Sequence, residues 1–593
     1  MTETSITIEG IEIPVTASNT VVVGAGAAGM GAAVQLIRHW RKTGVDDPAG
    51  KVLVVTGGLR LGTSRMSGSD KQTYYKMGTS PRIPDTAEDY AKTLTSFGCC
   101  HGDNAMVEGV LSLKGFYNLV EQGVPFPHEP FGAFIGYKTD HDPYERATSA
   151  GPKTSRFMSE CLQAEAERMG VQIADGKVVA RLLTAGEGQS KRIVGMLAID
   201  RNRAGDDDMG LHLYVAENWI LAAGGAGEIY EITVYPRGQV GIHGAAFEAG
   251  LHGANLTESQ YGLASTKFRW NVSGTYMQVI PRIYSTDADG GDEREFLTDY
   301  FDDMPTMALN IFLKGYQWPF DAQRITDQQS SLVDMAVHME TVVRDRRVWM
   351  DFLRNPVGRE GWDAFDIAAL PDEAREYLER TGADQELPID RLKHMNTPAI
   401  EIYTENGIDL FSEPLEIAVC AQHHNGGFAV NKWWESNIPQ TFIVGEMAGT
   451  HGVKRPGGSA LNAGQVGAMR AAEYIANVYG SDRADLSDAV TGAAQQAVAE
   501  LKAFRDKASS ASVSPGEAWS QIGRRMTQYG AHLRDRDKSA AALKEAVQQY
   551  AELRSGGLKI TSGPDWVHAI QTLQQCLTHV GFLKAIVGMF ERL

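Results

Sequence analysis

The chain opens on a short polar lead that runs into an unbroken apolar stretch, TVVVGAG, around Val21–Val23. This passes at once into AAGMGAAVQLIRHWRK, which reads as a helix, and a second apolar strand, KVLVV, occupies Lys51–Val55. Strand, glycine-rich turn, helix and strand form a βαβ unit, so a parallel sheet is predicted at the start of the fold. From residue 85 to about 122 the pattern is helical, with Asp85 or Thr86 as its cap ahead of AEDYAKTL. Another helix over roughly Lys153–Met169 leads into the strand VQIADGKVVARLL, then an antiparallel-looking stretch that ends in ENWILAAGGAG at 217–227. Residues 256–419 are irregular, with many short elements, and a strand (TFIVGE, 441–446), a glycine-rich loop and a long helix to about Tyr479 follow. From about 484 Ala, Gln, Lys, Arg and Leu dominate and Gly becomes sparse, which predicts a terminal helical bundle.

The first chemical signal sits on the first turn, Gly24-Ala25-Gly26-Ala27-Ala28-Gly29. In a GxGxxG turn the first glycine allows the tight bend and the second lets backbone approach a pyrophosphate. The third lets the helix pack on the strand, with its N-terminus facing the phosphates. A purely structural turn is the alternative, but the position between strand and helix favours a dinucleotide. The acid expected at the end of the second strand is missing, since Thr56 follows Val55. The second glycine-rich strand end, Leu221–Gly227 with Ala223 and Gly224, points to FAD over NAD, because flavoproteins return the chain to the dinucleotide at such a turn.

Composition narrows the field. The chain has 593 residues, too many for one ordinary core, so two to four packed units are expected. Its net charge of −18 argues against binding nucleic acid or an anionic membrane by bulk charge. The five cysteines, Cys99, Cys100, Cys161, Cys420 and Cys576, form no CxxC, so neither a zinc ribbon nor a chain-borne iron–sulfur cluster fits and no metal site is expected. Scattered thiols read as a reduced, cytoplasmic protein. The N-terminal residues show no secretory pattern, and no apolar run reaches the ~20 residues of a membrane helix.

Gly445–Ala476, GEMAGTHGVKRPGGSALNAGQVGAMRAAEYIA, resembles the C-terminal flavin motif of the succinate dehydrogenase/fumarate reductase flavoprotein family. The likeness continues through FYNLVEQGVPF at 116–126, AGPKTSRFM at 150–158 and RRVWMDF at 346–352. GSDKQTYYK at 68–76 and ESQYGLASTKFRWNVSG at 258–274 look most like the adenylylsulfate reductase branch. The resemblance implies an α/β fold: a Rossmann-like FAD-binding domain (1–255 and 420–480), an inserted α+β capping domain (256–419) and a C-terminal helical domain (481–593).

It also implies site residues. The family's flavin loop maps onto Ser64, Arg65, Met66, Ser67 and Gly68; covalent members have His where Arg65 stands, so FAD is expected to be non-covalent. Glu446, Ser459, Ala460 and Leu461 match flavin contacts, and Val179 matches a backbone contact to adenine. Arg455 matches the arginine that holds a substrate carboxylate, with pairing to a cap acid or to FAD as the alternative. Departures exclude an orthodox fumarate reductase: the substrate-holding His is absent from Gln260-Tyr261-Gly262-Leu263, Val337 replaces the proton-delivering Arg, and Gln422 stands where another His is expected. His423 and His424 are the candidates for the proton chemistry at neutral pH, and on an extended strand only one of them reaches the flavin. Lys267, Arg269, Trp270 and Tyr261 complete the expected substrate-binding set.

The function expected is hydride transfer between flavin N5 and a polar, anionic organic substrate under the cap. The alternatives are a subunit passing electrons to a separate iron–sulfur partner, an oxygen-using oxidase, and a non-catalytic flavin scaffold. Oligomeric state, a homo-oligomer included, stays open.

Overall fold

The computed structural model describes every residue except 1, 81, 135, 140, 141 and 143. Its first sheet contains β1 (Thr2–Ile8), β2 (Ile11–Val23), β3 (Val52–Val55), β4 (Gln172–Ala174), β5 (Lys177–Ala185), β6 (Arg192–Asp200), β7 (Leu211–Leu221) and, late in the chain, Thr441–Ile443. The order is β4-β3-β2-β7-β6-β5. β2, β3, β4 and β7 run parallel, β5–β7 antiparallel, and Thr441–Ile443 adds parallel to the far end of β7. Every residue of β3 is buried, as a strand covered on both faces requires.

Helices α1 (Ala27–Thr43) and α2 (Ala87–Thr95) follow the sequence pattern closely, and Thr86, not Asp85, caps α2 by accepting from Asp89 N at 3.1 Å. α3 (Gly102–Glu121) and α4 (Thr154–Met169) lead back to the sheet. The polar lead is not a lead: β1 pairs with the first half of β2 as a long hairpin. Its signal was the alternation of Ile8, Ile13 and Val15, all buried against the C-terminal helices.

The central region forms a second, antiparallel capping sheet. Its strands are β8 (Ser259–Ser265), β9 (Trp270–Asn271), β10 (Arg282–Thr286), β11 (Arg347–Asp351) and β12 (Leu415–His424), in the order β9-β8-β12-β11-β10. Helices Met304–Leu313 (α5), Ser331–His338 (α6), Asp372–Thr381 (α7) and Pro388–Glu405 (α8) pack on it in a core of their own. β12 runs without a break from 415 through 424. The chain returns to the first sheet through Thr441–Ile443 (β13) and α9 (Ser459–Tyr474), which packs on α1.

Four helices end the chain: α10 (Asp488–Asp506), α11 (Pro515–Tyr529), α12 (Arg536–Gly556) and α13 (Gly563–Phe590). Trp566, Leu573 and Leu501 join the core under β5–β7, while Met526, Phe582 and Leu583 join the capping core, so this bundle ties the two sheets together. Among the described residues no helix is long and apolar enough to cross a membrane.

Candidate functional site

A cavity of about 1010 Å³ runs from the ends of β2, β3 and β7 to the capping sheet. That is at the upper end of ligand-pocket sizes, about 300–1,000 Å³. Its inner wall is largely backbone: Val23 to Ala28, Val55 to Gly58 and Ala222 to Gly224 all border it. Gly24 is held at φ +113, with its N–H donating to Val55 O at 2.8 Å. A Cβ there would lie 2.3 Å from Ala222 O, and one on Gly29 would lie 2.0 Å from Gly24 O. Only glycines allow this close turn. α1 begins beyond it with no side-chain cap and no acid in its first turn, so its N-terminal dipole faces the cavity unneutralised by side chains.

The predicted cofactor set divides. Gly24, Gly26, Ala27, Ala28, Thr56, Ser64, Ser67, Gly68, Val179, Ala223, Gly224, Glu446, Ala460 and Leu461 border the cavity. Gly29, Arg65, Met66 and Ser459 do not. Gly29 packs the helix, as above, and Ser459 starts α9 with its hydroxyl donating to Pro456 O at 2.9 Å. Arg65 is turned to α4, where it pairs with Glu160 at 2.9 Å and with Gln163. Met66 lies at the surface. Beside Thr56, where an acid was expected, the wall carries Lys177 and Arg201. The close glycine turn, the uncapped helix and the long cavity fit a dinucleotide pyrophosphate.

At the other end stand Gln260, Trp318, Gln422, His423, Glu446 and Arg455. Glu446 accepts from His424 N at 3.0 Å and from Tyr235 Oη. Burial raises the Glu446 carboxyl above its ordinary value, against the lowering contacts of Tyr235, His424 N and Arg455. His423 Nδ1 lies 3.0 Å from Asn425 Oδ1 and 3.4 Å from Arg455 Nε. Asn425 Nδ2 donates to Val453 O at 2.9 Å, which aims Oδ1 at the ring. Arg455 Nε–H competes for Nδ1 as an acceptor, but the shorter contact to Asn425 favours a proton on Nδ1, with Nε2 as the acceptor 3.9 Å from Glu446 Oε1.

Burial first, then the Arg455 guanidinium and the His451 ring, hold His423 well below the ordinary imidazole value. The expectation of a histidine titrating near neutrality is thus corrected: both are neutral there, His424 being lowered to about 4 by burial. His424 also leaves the cavity. Its Nδ1 meets Ser259 Oγ at 3.0 Å and its ring stacks on Tyr235.

Four more expected substrate residues lie elsewhere. Lys267 is exposed and faces Glu413 at 3.5 Å, and Arg269 is held by Glu228 at 3.0 Å and Tyr235 O at 2.8 Å. Trp270 is stacked on Phe268 and packed over Gly68. Tyr261 is buried, its hydroxyl 3.0 Å from that of Tyr230. In each case a neighbouring charge or ring captured a side chain whose type suited a ligand. Gln260 and Trp318 were missed: the first stood in a segment read only for its lost histidine, and the second lies in a stretch without periodicity.

Known proteins share this fold. Residues 19–280 match the FAD binding domain family model. A CoM/CoB fumarate reductase chain from Methanothermobacter marburgensis is 22% identical over 72% of this chain and 66% of its own length, so the chain spans just under two thirds of that relative. An E. coli quinol fumarate reductase structure superposes with a TM-score of 0.69 at 16% identity, covering 97% of this chain and 89% of that one. The adenylylsulfate reductase of Archaeoglobus fulgidus superposes at 0.64, with 15% identity over 99% of this chain and 91% of its own. The expected α/β architecture, with its capping sheet and terminal helices, is the fold of these proteins. With both glycine-rich strand ends converging on one cavity, the chain carries an FAD binding domain over residues 19–280 and has the fold of the fumarate reductase and adenylylsulfate reductase structures it superposes on.

Proposed function

We propose that this protein binds FAD non-covalently and exchanges a hydride with a small, anionic organic substrate held beneath the capping sheet. One observation carries the reading: the glycine-lined dinucleotide wall and the polar chamber at Gln422, His423 and Arg455 are parts of one continuous cavity. FAD, when bound, supplies the two-electron acceptor or donor.

The chain's own residues do the rest. The α1 N-terminus and the turns at Gly24 and Gly224 receive the dinucleotide, and Arg65, which is directed at α4, leaves the attachment non-covalent. Arg455 receives the substrate anion as a planar, permanently charged fork. His423, with a proton on Nδ1, offers Nε2 as an acceptor and orients a donor on the substrate. The cap, from β8 through β12 with its helices, keeps bulk water from the reacting carbon. Of the units expected at 1–255, 256–419, 420–480 and 481–593, the second extends to His424 because β12 is one strand, and the substrate chamber lies where this inserted unit meets the dinucleotide unit. As the relatives do not share one substrate, the acid itself is left to experiment.

The test is an anaerobic screen of small organic acids against the purified yellow protein. One that bleaches the oxidised flavin, or restores colour after photoreduction, supports the reading. Flavin turned over only by one-electron mediators across a broad panel of acids would overturn it.

A further inference from the structure

The chamber's wall contains two carboxamides that the protein itself leaves unpaired. β8 and β12 are out of step at one point: Gln260 lies opposite His423, but Tyr261 lies opposite Ala421. Gln422 is the extra residue of this β-bulge. Bulges re-aim side chains. In a regular strand, residues 422 and 424 would share a face and 423 would oppose them. Here Gln422 and His423 both border the cavity, while His424 enters the core.

Gln422 is only 9% exposed, yet neither its Oε1 nor its Nε2 makes a hydrogen bond among the described residues. The same holds for Gln260 Oε1 and for His423 Nε2. Leaving a buried polar group unsatisfied is costly and rare in native proteins, so such a cluster points to a visiting partner. The surroundings are built to keep it. Phe320 N donates to Tyr261 O at 2.8 Å and Pro319 bridges Gly262, which hangs Trp318 over the strand. A Cβ on Gly262 would lie 2.8 Å from Trp318 Cε3 and 2.9 Å from both amide atoms of Gln422. Glycine at 262 is what lets indole and amide close on one point.

The unpaired acceptors are three, Gln260 Oε1, Gln422 Oε1 and His423 Nε2, and Gln422 Nε2 is the unpaired donor. A second carboxylate entering here has no hydrogen to give those acceptors. Of the nearby cations, Lys267 and Arg269 are held elsewhere, Lys454 is bound by Asp321 at 2.7 Å, and Lys71, Lys138 and Arg380, which border the cavity, are exposed to solvent. A buried charge without a partner is expensive. A neutral carboxamide gives an N–H to two of the three acceptors, a lactam to one, and either offers its carbonyl to Gln422 Nε2 in a plane that can lie against Trp318.

Resting on the reading that Arg455 anchors the substrate anion, we propose that the substrate is a monoanion whose other end is a carboxamide or lactam, received by Gln260, Gln422 and His423 under Trp318. The chamber thereby selects against dicarboxylates.

Matched probes test this: succinamate against succinate, and fumaramate against fumarate, each pair differing by NH₂ for O⁻. Each is titrated into the FAD-loaded protein and followed by the flavin absorbance change. The half-amides are expected to bind at least about 10-fold more tightly, the worth of one good hydrogen-bonded contact. Gln422→Leu and Gln260→Leu should erase that preference at unchanged flavin content. A dicarboxylate that binds as tightly as its half-amide, and loses affinity in Arg455→Ala, overturns this inference and leaves the anchor standing. Probes that bind with no dependence on Arg455, or not at all, overturn both.

Discussion

Removing the Arg455 guanidinium separates its two candidate roles, as substrate anchor and as flavin ligand. Arg455 borders the chamber beside His423, with Nε 3.4 Å from the imidazole Nδ1, in surroundings buried enough to push both His423 and His451 down. Losing one side of a desolvated, charge-assisted contact costs about 2–4 kcal/mol. At 1.4 kcal/mol per decade this is about 30- to 700-fold in affinity for the anion. Arg455→Ala should therefore bind succinamate about 100-fold more weakly, read from flavin difference spectra, and any substrate found by screening should fall similarly in kcat/KM. The ratio of flavin to protein should hold, because the dinucleotide wall is shared among the turns at Gly24, Thr56 and Gly224. Arg455→Lys should recover little, since an ammonium lacks the planar fork. The same Ala substitution lifts His423 and His451 toward their ordinary values, because it deletes a positive charge that lowers both. Folded protein that has lost its flavin would refute the reasoning and make Arg455 a cofactor ligand.

Acid precipitation of the holoprotein should release yellow flavin into the supernatant, because Arg65 is turned away to Glu160 and a guanidinium is no nucleophile for the flavin; colour kept in the pellet would contradict this. A second test concerns acid stability. Burial lowers His243 to about 3, and neither ring nitrogen has a partner among the described residues. The unfolded chain takes up this proton below about 6.5 and the folded chain does not, so stability is lost as pH falls from about 6.5 toward 3, at about 1.4 kcal/mol per pH unit. His243→Leu should show no such loss at this site, so the gap between variant and wild type in urea unfolding should widen in the variant's favour below pH 6.5 and stay flat above it. Finally, Arg146 and Asp85 form a fully buried bidentate pair (2.6 and 2.8 Å), with Tyr75 and Thr93 also accepting from Arg146. Arg146→Met strands the Asp85 charge and should cost about 3–5 kcal/mol in denaturant unfolding, while a double variant with Asp85→Leu should regain part of it. An unchanged midpoint would show the pair to be unimportant.

Local pattern determined the parts of this protein that depend on neighbours in the chain. Val21–Val23 reads as a buried strand because it is apolar without alternation, and the Gly24–Gly29 spacing reads as a dinucleotide turn because backbone geometry alone requires glycine there. The helices at 154–169 and beyond 484 follow from composition and caps in the same way. The motif Gly445–Leu461 placed Glu446, Arg455, Ala460 and Leu461, and all four border the cavity. The β1–β2 hairpin was also written in the chain, as alternating Ile and Val, although the polar residues between them hid it.

Tertiary structure decided which polar side chains are available to a ligand. Lys267, Arg269 and Tyr261 have suitable chemistry, but Glu413, Glu228 and Tyr230 reach them first, and those partners are distant in sequence. His423 and His424 are neighbours of the same type; one borders the cavity and the other lies in the core because a bulge between two remote strands sets their rotation. Their neutrality likewise comes from burial and from Arg455, a charge 32 residues away in the chain. Pairing, burial and register are properties of contacts between distant segments. Periodicity along the chain records which faces are apolar, but it carries no information about which charge will meet which.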